Sequence, residues 1–131
     1  SIVAYYAALQ QKGIAPEINI PEEAVYCTAN RAALSRIFSN LIGNAIKYSD
    51  GDLNITLTGD GQITFSNTAS QLTEVQVSRL FDRFYTVESA RKSTGLGLSI
   101  AKVLVEQMDG TISANYNHNT LSISIYLPVI S

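Results

Sequence analysis

The sequence predicts an α+β two-layer sandwich, with helices on one face of a mostly antiparallel mixed sheet. Two observations carry this. Strand-like alternation comes in consecutive pairs, residues 53–57 with 63–65 and 111–117 with 121–127, while the strong helical patterns come singly between them. A doubly wound parallel sheet would need regular strand–helix alternation, which is absent. The 131-residue length suits one domain with one core.

In chain order, residues 1–12 read as a helix, because Ile2, Tyr5, Tyr6 and Leu9 recur at three- and four-residue spacing before Gly13. Ile14 to Ile20 and Val25 to Thr28 read as short strands separated by Pro21. From an N-cap at Asn30, the residues Leu34, Ile37, Phe38, Leu41, Ile42, Ala45 and Ile46 form one apolar stripe, and Ser49-Asp50-Gly51-Asp52 ends the helix. Leu53, Ile55 and Leu57 alternate as a strand. Gly59-Asp60-Gly61 turns the chain, and Ile63 and Phe65 alternate on the return. Residues 73–84 are predicted helical, 85–95 a polar loop, and 96–108 an amphipathic helix with Gly110 as its stop. Two closing strands follow, with His118 in the turn between them.

Composition narrows the function. A net charge of −2 gives no basic footprint for nucleic acid, so an anionic ligand must be held by local geometry. The single cysteine, Cys27, can form neither an internal disulfide nor a zinc site alone. No apolar run approaches the ~20 residues of a membrane span, and the start lacks a basic, signal-like flank. Without an initiator Met, the chain reads as a piece excised from a longer protein.

Two features point to chemistry. On the long helix, Arg36, Asn40, Asn44 and Lys47 fall within a narrow arc, expected opposite the apolar stripe. Asparagine is a costly helix-interior residue because its amide competes for backbone bonds, and Gly43 adds roughly 1 kcal/mol relative to Ala. A solvated face would more cheaply use Glu, Lys or Gln, so either an ordinary exposed face or a surface built for a polar ligand is open. The second feature is Ser93-Thr94-Gly95-Leu96-Gly97-Leu98, which leads into a helix whose apolar stripe includes Ile100, Ala101, Leu104 and Met108. Backbone amides at a helix N-terminus favour an anion, and glycines let a phosphate approach. It is neither a Walker-type loop nor a full dinucleotide fingerprint. A plain glycine-capped helix start remains open. Arg91 and Lys92 upstream are either cations that close over phosphates or solvated loop charges.

In order and spacing these pieces resemble the histidine kinase catalytic domain of the GHKL superfamily, over essentially residues 14–128. RIFSNLIGNAIKYS (36–49) resembles its asparagine box, LFDRFY (80–85) its phenylalanine box, and TGLGLSIAK (94–102) its second glycine box, with MDGTI (108–112) after it. The resemblance implies the Bergerat ATP-binding fold, with ATP and Mg²⁺ as ligands. Asn44 would coordinate Mg²⁺ bridging the phosphates, with Asn40 beside it. Hydrolytic relatives carry a water-activating carboxylate at the position of Asn40. An amide cannot act as that base, so the chain looks suited to phosphoryl transfer to a protein side chain. Lys47 would contact phosphate oxygens and Tyr48 would pack on the base or ribose. Thr94, Gly95, Leu96, Gly97 and Leu98 would supply the phosphate-binding loop, with Arg91 and Lys92 in the lid. Phe81 and Phe84 would anchor the lid hydrophobically or pack in the core.

The first glycine box departs from the family. In Phe65-Ser66-Asn67-Thr68-Ala69-Ser70-Gln71-Leu72, Asn67 replaces the usual aspartate, and Ala69 and Gln71 replace glycines. Alternation puts Asn67 on the face of Ile63 and Phe65, toward the pocket floor. The family aspartate accepts a hydrogen bond from the exocyclic amine of adenine; an amide oxygen can do so without charge assistance. Three consequences are open: weaker ATP binding, donation to a base carbonyl that relaxes selectivity toward guanine, or loss of nucleotide binding in a docking module. A GHKL serine kinase of the anti-sigma type is a further alternative.

The resemblance further implies a phosphoacceptor histidine on a preceding helix. His118 is the only histidine and follows the boxes, so autophosphorylation by this chain alone is not expected. Residues 1–12 are expected to be the tail of a dimerisation and phosphoacceptor helix or a linker, and 13–131 the catalytic domain. The implied partners are a histidine-bearing dimerisation domain of the same parent, a homodimeric protein, and a cognate response regulator. The domain is expected in the cytoplasm, with a parent that is membrane-anchored in many family members.

Overall fold

The computed structural model describes residues 10–11, 13–19, 31–82 and 97–128. Its elements, in order, are β1 (Ala15–Asn19), α1 (Arg31–Tyr48), β2 (Asp52–Leu57), β3 (Gln62–Thr68), α2 (Glu74–Ser78), α3 (Gly97–Gln107), β4 (Thr111–Asn117) and β5 (Thr120–Tyr126). The five strands form one sheet in the order β1-β2-β3-β5-β4, with β1 parallel to β2 and the remaining pairs antiparallel. The predicted mixed, mostly antiparallel sheet with helices is what the chain builds.

The period of two explains the sheet's buried face. Register aligns Ile55 with Phe65, Ile123 and Ala114, and Leu57 with Ile63, Ile125 and Ile112. These rows meet Ile37, Leu41, Ile42 and Ala45 of α1 and Leu98, Ala101 and Val105 of α3 in one core. Each large side chain buried there contributes about 1.5–3 kcal/mol. The rings of Phe38 and Phe65, with centroids 5.8 Å apart and tilted by 52°, fasten α1 to the centre of the sheet.

Three expectations need correction. The helix predicted over 73–84 is one capping-boxed turn: Thr73 Oγ1 accepts from Gln76 N, and Gln76 Oε1 accepts from Thr73 N. After Ser78 the chain turns, so that Leu80 is buried and Phe81 half-buried against the core. Phe84 and the Val25–Thr28 strand lie outside the described residues. On α3 the fully buried stripe is Leu98, Ala101 and Val105, with Leu104 and Met108 at its margin. α3 ends at Gln107, and Gly110 N closes the turn on the Val105 carbonyl at 3.0 Å, so glycine at 110 answers a steric need and is not itself the helix stop. It is Asp109 that takes the left-handed conformation, at φ 60°, while a Cβ on Gly110 would stand 2.4 Å from the carbonyl oxygen of Tyr126.

Of the N-terminal helix, Gln10 and Gln11 are described and helical. Gly13, at φ 78°, donates its N–H to the Gln10 carbonyl and ends that turn. Among the described residues, no helix is long and apolar enough to cross a membrane. His118 and Asn119 make the β4–β5 turn at φ 50° and 62°, as two-residue hairpins require.

Candidate functional site

The asparagine arc adjoins the core stripe and does not oppose it. Seven residues of α-helix turn roughly 700°, which puts Asn44 only about 20° from Ile37. Asn44 is accordingly buried, at 7 % exposure, whereas Asn40 and Lys47 are half-buried and Arg36 is exposed. Among the described residues neither Asn44 Oδ1 nor Nδ2 has a hydrogen-bond partner. Leaving a buried amide unpaired costs about 1–3 kcal/mol. Native interiors rarely tolerate this unless the group has another use.

Asn40 is engaged. Its Nδ2 donates to the Gly97 carbonyl at 2.8 Å. The bond ties the asparagine face of α1 to the first residue of α3, so the two boxes that the sequence separates by about fifty residues converge at one place. Gly97 is exposed, and a Cβ there would reach only ordinary contact with Asn40 Cγ, at 4.0 Å. The Leu98 side chain belongs to the core. Its backbone N–H, like the others in the first turn of α3, has no partner within the helix. Lys47 carries its Nζ 5.1 Å over the ring of Tyr48, a cation–π contact. Arg91, Lys92, Thr94, Gly95 and Leu96 lie outside the described residues.

Asn67 lies on the core face of β3, at 4 % exposure, as alternation predicts. The stacking of Phe38 on Phe65 and the bond from Asp50 N to the Thr68 carbonyl, 2.8 Å, bracket it. Its neighbours along β3 are thus held to α1 at Phe38 and to the loop after α1 at Asp50.

Sequence reasoning missed the loop at Ser49-Asp50-Gly51-Asp52, read there only as a helix stop. Ser49 Oγ accepts from Gly51 N and Asp52 N, both at 2.9 Å, and donates to the Asp52 carbonyl at 2.6 Å. Asp52 Oδ1 accepts from Thr68 N at 2.8 Å and from Thr68 Oγ1 at 2.7 Å, and Asp50 Oδ2 accepts from Ser70 N at 2.9 Å. The usable signal was two carboxylates flanking a glycine just before a strand, opposite Ser and Thr donors in the next strand's exit. His118 is exposed in its turn, as expected of a turn residue.

Comparison with known proteins agrees with this geometry. Sensor histidine kinase YcbM of Bacillus subtilis (strain 168) is 40 % identical over 122 residues, 86 % of this chain and 39 % of YcbM. Sensor protein VanSC of Enterococcus gallinarum is 33 % identical over 128 residues, 92 % of this chain and 35 % of that protein. The chain thus spans well under half the length of these curated relatives. The catalytic domain of histidine kinase ThkA shares the fold, with TM-score 0.81 and 22 % identity over 96 % of this chain and 86 % of that one. Full-length ShkA, solved in complex with AMPPNP, gives TM-score 0.80 and 21 % identity over 98 % of this chain and 28 % of that one. Residues 29–130 match the family model for histidine kinase-, DNA gyrase B- and HSP90-like ATPases. With the fold, the asparagine helix and the glycine-led helix in register, the chain belongs to the histidine kinase-, DNA gyrase B- and HSP90-like ATPase family.

Proposed function

We propose that this chain is the ATP-binding catalytic domain of a sensor histidine kinase, passing the ATP γ-phosphoryl group to a histidine on a separate domain in two-component signalling. The observation that carries the reading is Asn44: a buried amide with neither polar atom partnered among the described residues, on the face of α1 that Asn40 joins to Gly97. A nucleotide-free docking module has no use for such a group, and a phosphate and metal site does. A hard amide oxygen suits Mg²⁺, which is commonly held by one or two protein oxygens together with phosphates. Asn44 would be its protein ligand, and the bound ion would neutralise charge on the phosphates.

The chain's own residues act by positioning and charge complementarity, as phosphoryl transfer requires. Asn40 holds the glycine turn at Gly97 in place and, being an amide, activates no water. Lys47 supplies a cation at the end of α1, carried beside the Tyr48 ring, and Tyr48 offers that ring to the base or ribose. The backbone at Gly95, Leu96, Gly97 and Leu98, with Thr94, receives the phosphates, and Arg91 and Lys92 close over them. The acceptor histidine comes from a dimerisation domain of a homodimeric parent, with residues 1–12 serving as the tail of its phosphoacceptor helix or as a linker. The phosphoryl group then passes to a response regulator. The domain works in the cytoplasm, and its parent is a membrane-anchored sensor. The name of the 40 % identical relative, sensor histidine kinase YcbM, favours a histidine acceptor over a serine one.

Thermal unfolding with and without Mg-AMPPNP tests the reading. Ligand at a hundredfold excess over Kd stabilises by about 2.7 kcal/mol, and an Asn44→Ala variant should show no shift. Absence of any shift at millimolar nucleotide in the unmodified chain would overturn the proposal. Phosphorylation in trans of a histidine-bearing dimerisation domain from a sensor kinase then tests the transfer step.

A further inference from the structure

The two edge strands of the sheet differ in how they meet solvent. β1 carries Pro16, which cannot donate to a ladder, and the charged Glu17, both common means of keeping a foreign strand away. β4 reads TISANYN and has neither charge nor proline over its 7 residues. Among the described residues its one sheet neighbour is β5.

Hairpin geometry decides which main-chain groups β5 leaves over. Asn117 and Thr120 close a two-residue turn, so they exchange both of their main-chain bonds. Alternation then gives Asn115, Ser113 and Thr111 to β5 as well, and turns the N–H and C=O groups of Ile112, Ala114 and Tyr116 outward. Among the described residues nothing bonds these outward groups. The side chains follow the other alternation: Ile112, Ala114 and Tyr116 pack toward the core, while Thr111, Ser113, Asn115 and Asn117 are exposed on the open face.

We propose that β4 pairs antiparallel with β4 of a second copy, about a two-fold axis at Ala114, joining the two five-stranded sheets edge to edge. The strand is self-complementary in this register. Ala114 meets the partner's Ala114 and Ile112 meets the partner's Tyr116, so the outward groups of both strands satisfy one another. On the core-facing side this sets a β-branched residue against an aromatic one. On the open side Ser113 faces the partner's Asn115 and Thr111 the partner's Asn117, and no like charges meet. A slip of one residue would turn the partner's helix layer to the opposite face. The contact is isologous, so the two-fold axis closes it at the dimer. One short edge is a small interface, and separate copies therefore associate weakly. In the homodimeric parent proposed above, tethering raises the local concentration to the millimolar range and populates the pair. The pairing needs no nucleotide, so it stands or falls independently of the ATP-binding reading.

Sedimentation equilibrium of the chain tests the pairing. It should be largely monomeric at about 10 μM and mostly dimeric at about 1 mM, with no larger species, as a Kd on the order of 100 μM gives. Hydrogen exchange at the higher concentration should slow at Ile112, Ala114 and Tyr116 and stay unchanged at Ser113 and Asn115, whose N–H groups β5 already holds. Ser113→Lys combined with Asn115→Lys should abolish the dimer, because lysines then face each other across it. Both side chains are exposed, so the melting temperature of the dilute chain should hold. Ser113→Lys combined with Asn115→Glu should keep the dimer or tighten it, since each lysine then faces the partner's glutamate. A monomer at 1 mM would leave the edge to an extended peptide of another protein and overturn the proposal. So would larger species, or a dimer without added protection at Ile112, Ala114 and Tyr116. A dimer that both double variants retain, or that both lose equally, would overturn the register and the proposal with it.

Discussion

Asn40 and Gly97 are joined by a side-chain to main-chain hydrogen bond of 2.8 Å that spans 57 positions of sequence. Its donor lies in the middle of α1 and its acceptor is the first residue of α3. The position of the glycine-led helix start is therefore set by the same helix face that carries Asn44. The asparagine at position 40 has a mechanical role that its residue type alone does not reveal.

Replacing Asn40 with Asp puts an acceptor against the Gly97 carbonyl. We expect a loss of about 1–2 kcal/mol in urea unfolding, since a neutral hydrogen bond is worth about 1 kcal/mol and repulsion adds to its loss. Hydrogen exchange should accelerate at Ala101 and Lys102, whose N–H groups donate to carbonyls of the first turn of α3, and remain unchanged at Ile123 and Ile125. Uniform acceleration across the chain would show that the bond does not locally position that turn.

Asn44 sets up a trade between stability and binding. Leucine at this position has similar size and removes two unpaired polar atoms from the interior. Asn44→Leu should raise the stability of the ligand-free chain by about 1–3 kcal/mol, while abolishing the thermal shift with Mg-AMPPNP. A destabilised variant would mean that the amide has a structural partner after all.

Most of the scaffold was legible because its periodicities are strong. The stripe from Leu34 to Ile46, the pair around Gly59-Asp60-Gly61 and the turn at His118 each follow from spacing and turn chemistry. What was not legible depends on contacts distant in sequence. The arc of Asn44 was placed opposite the core because apolar residues were counted without weighting by burial; Leu34, Phe38 and Ile46 are only partly buried, so the true core arc is shifted toward Asn44. The helix at 73–84 was overextended because Leu80 and Phe81 fit a helical spacing, yet they reach the core from a turn. The clasp of Asp52 on Thr68 joins residues 16 apart through side chains, and no local pattern encodes such a bond.

Gly110 should tolerate no side chain. A Cβ would lie 2.4 Å from the Tyr126 carbonyl oxygen, 2.9 Å from Leu127 Cδ2 and 3.1 Å from Val105 Cγ1. The first of these is backbone in β5 and cannot step aside without moving the sheet. Gly110→Ala should cost about 2–3 kcal/mol, in the range of overpacked cores, read from the urea midpoint at constant m-value. A cost under 0.5 kcal/mol would show that α3 and β5 can separate freely at this point.

The β2–β3 turn carries a small acid-sensitive contact. The Thr58 hydroxyl donates to Asp60 Oδ1, and this bond, opposed by slight desolvation and aided by backbone bonds, holds the Asp60 carboxyl below its ordinary value of 3.8. A depressed carboxyl stabilises the fold above its unfolded-state pKa, and that contribution is lost as pH falls through the folded value. An NMR titration should find the Asp60 pKa below the ordinary value, and Thr58→Ala should raise it toward that value. The stability difference between the two proteins should be present at neutral pH and should narrow below about pH 4. An unchanged Asp60 pKa in Thr58→Ala would contradict the assigned cause.

The β4–β5 turn tests whether His118 has any role beyond geometry. His118 and Asn119 both sit at positive φ, 50° and 62°, a conformation that costs most side chains about 1–2 kcal/mol and that glycine adopts freely. Asn-Gly is the preferred pair for such turns. The Asn119 contact with Ala69 runs through the main-chain carbonyl, so it survives a change of side chain. The double variant His118→Asn, Asn119→Gly should gain about 0.5–1 kcal/mol, measured by urea unfolding, part of the conformational relief being offset by glycine's greater freedom in the unfolded chain. Its nucleotide affinity should match that of the parent chain, because the imidazole takes no part in the site. A drop in phosphorylation of an added histidine-bearing domain, with nucleotide affinity intact, would instead give His118 a functional role.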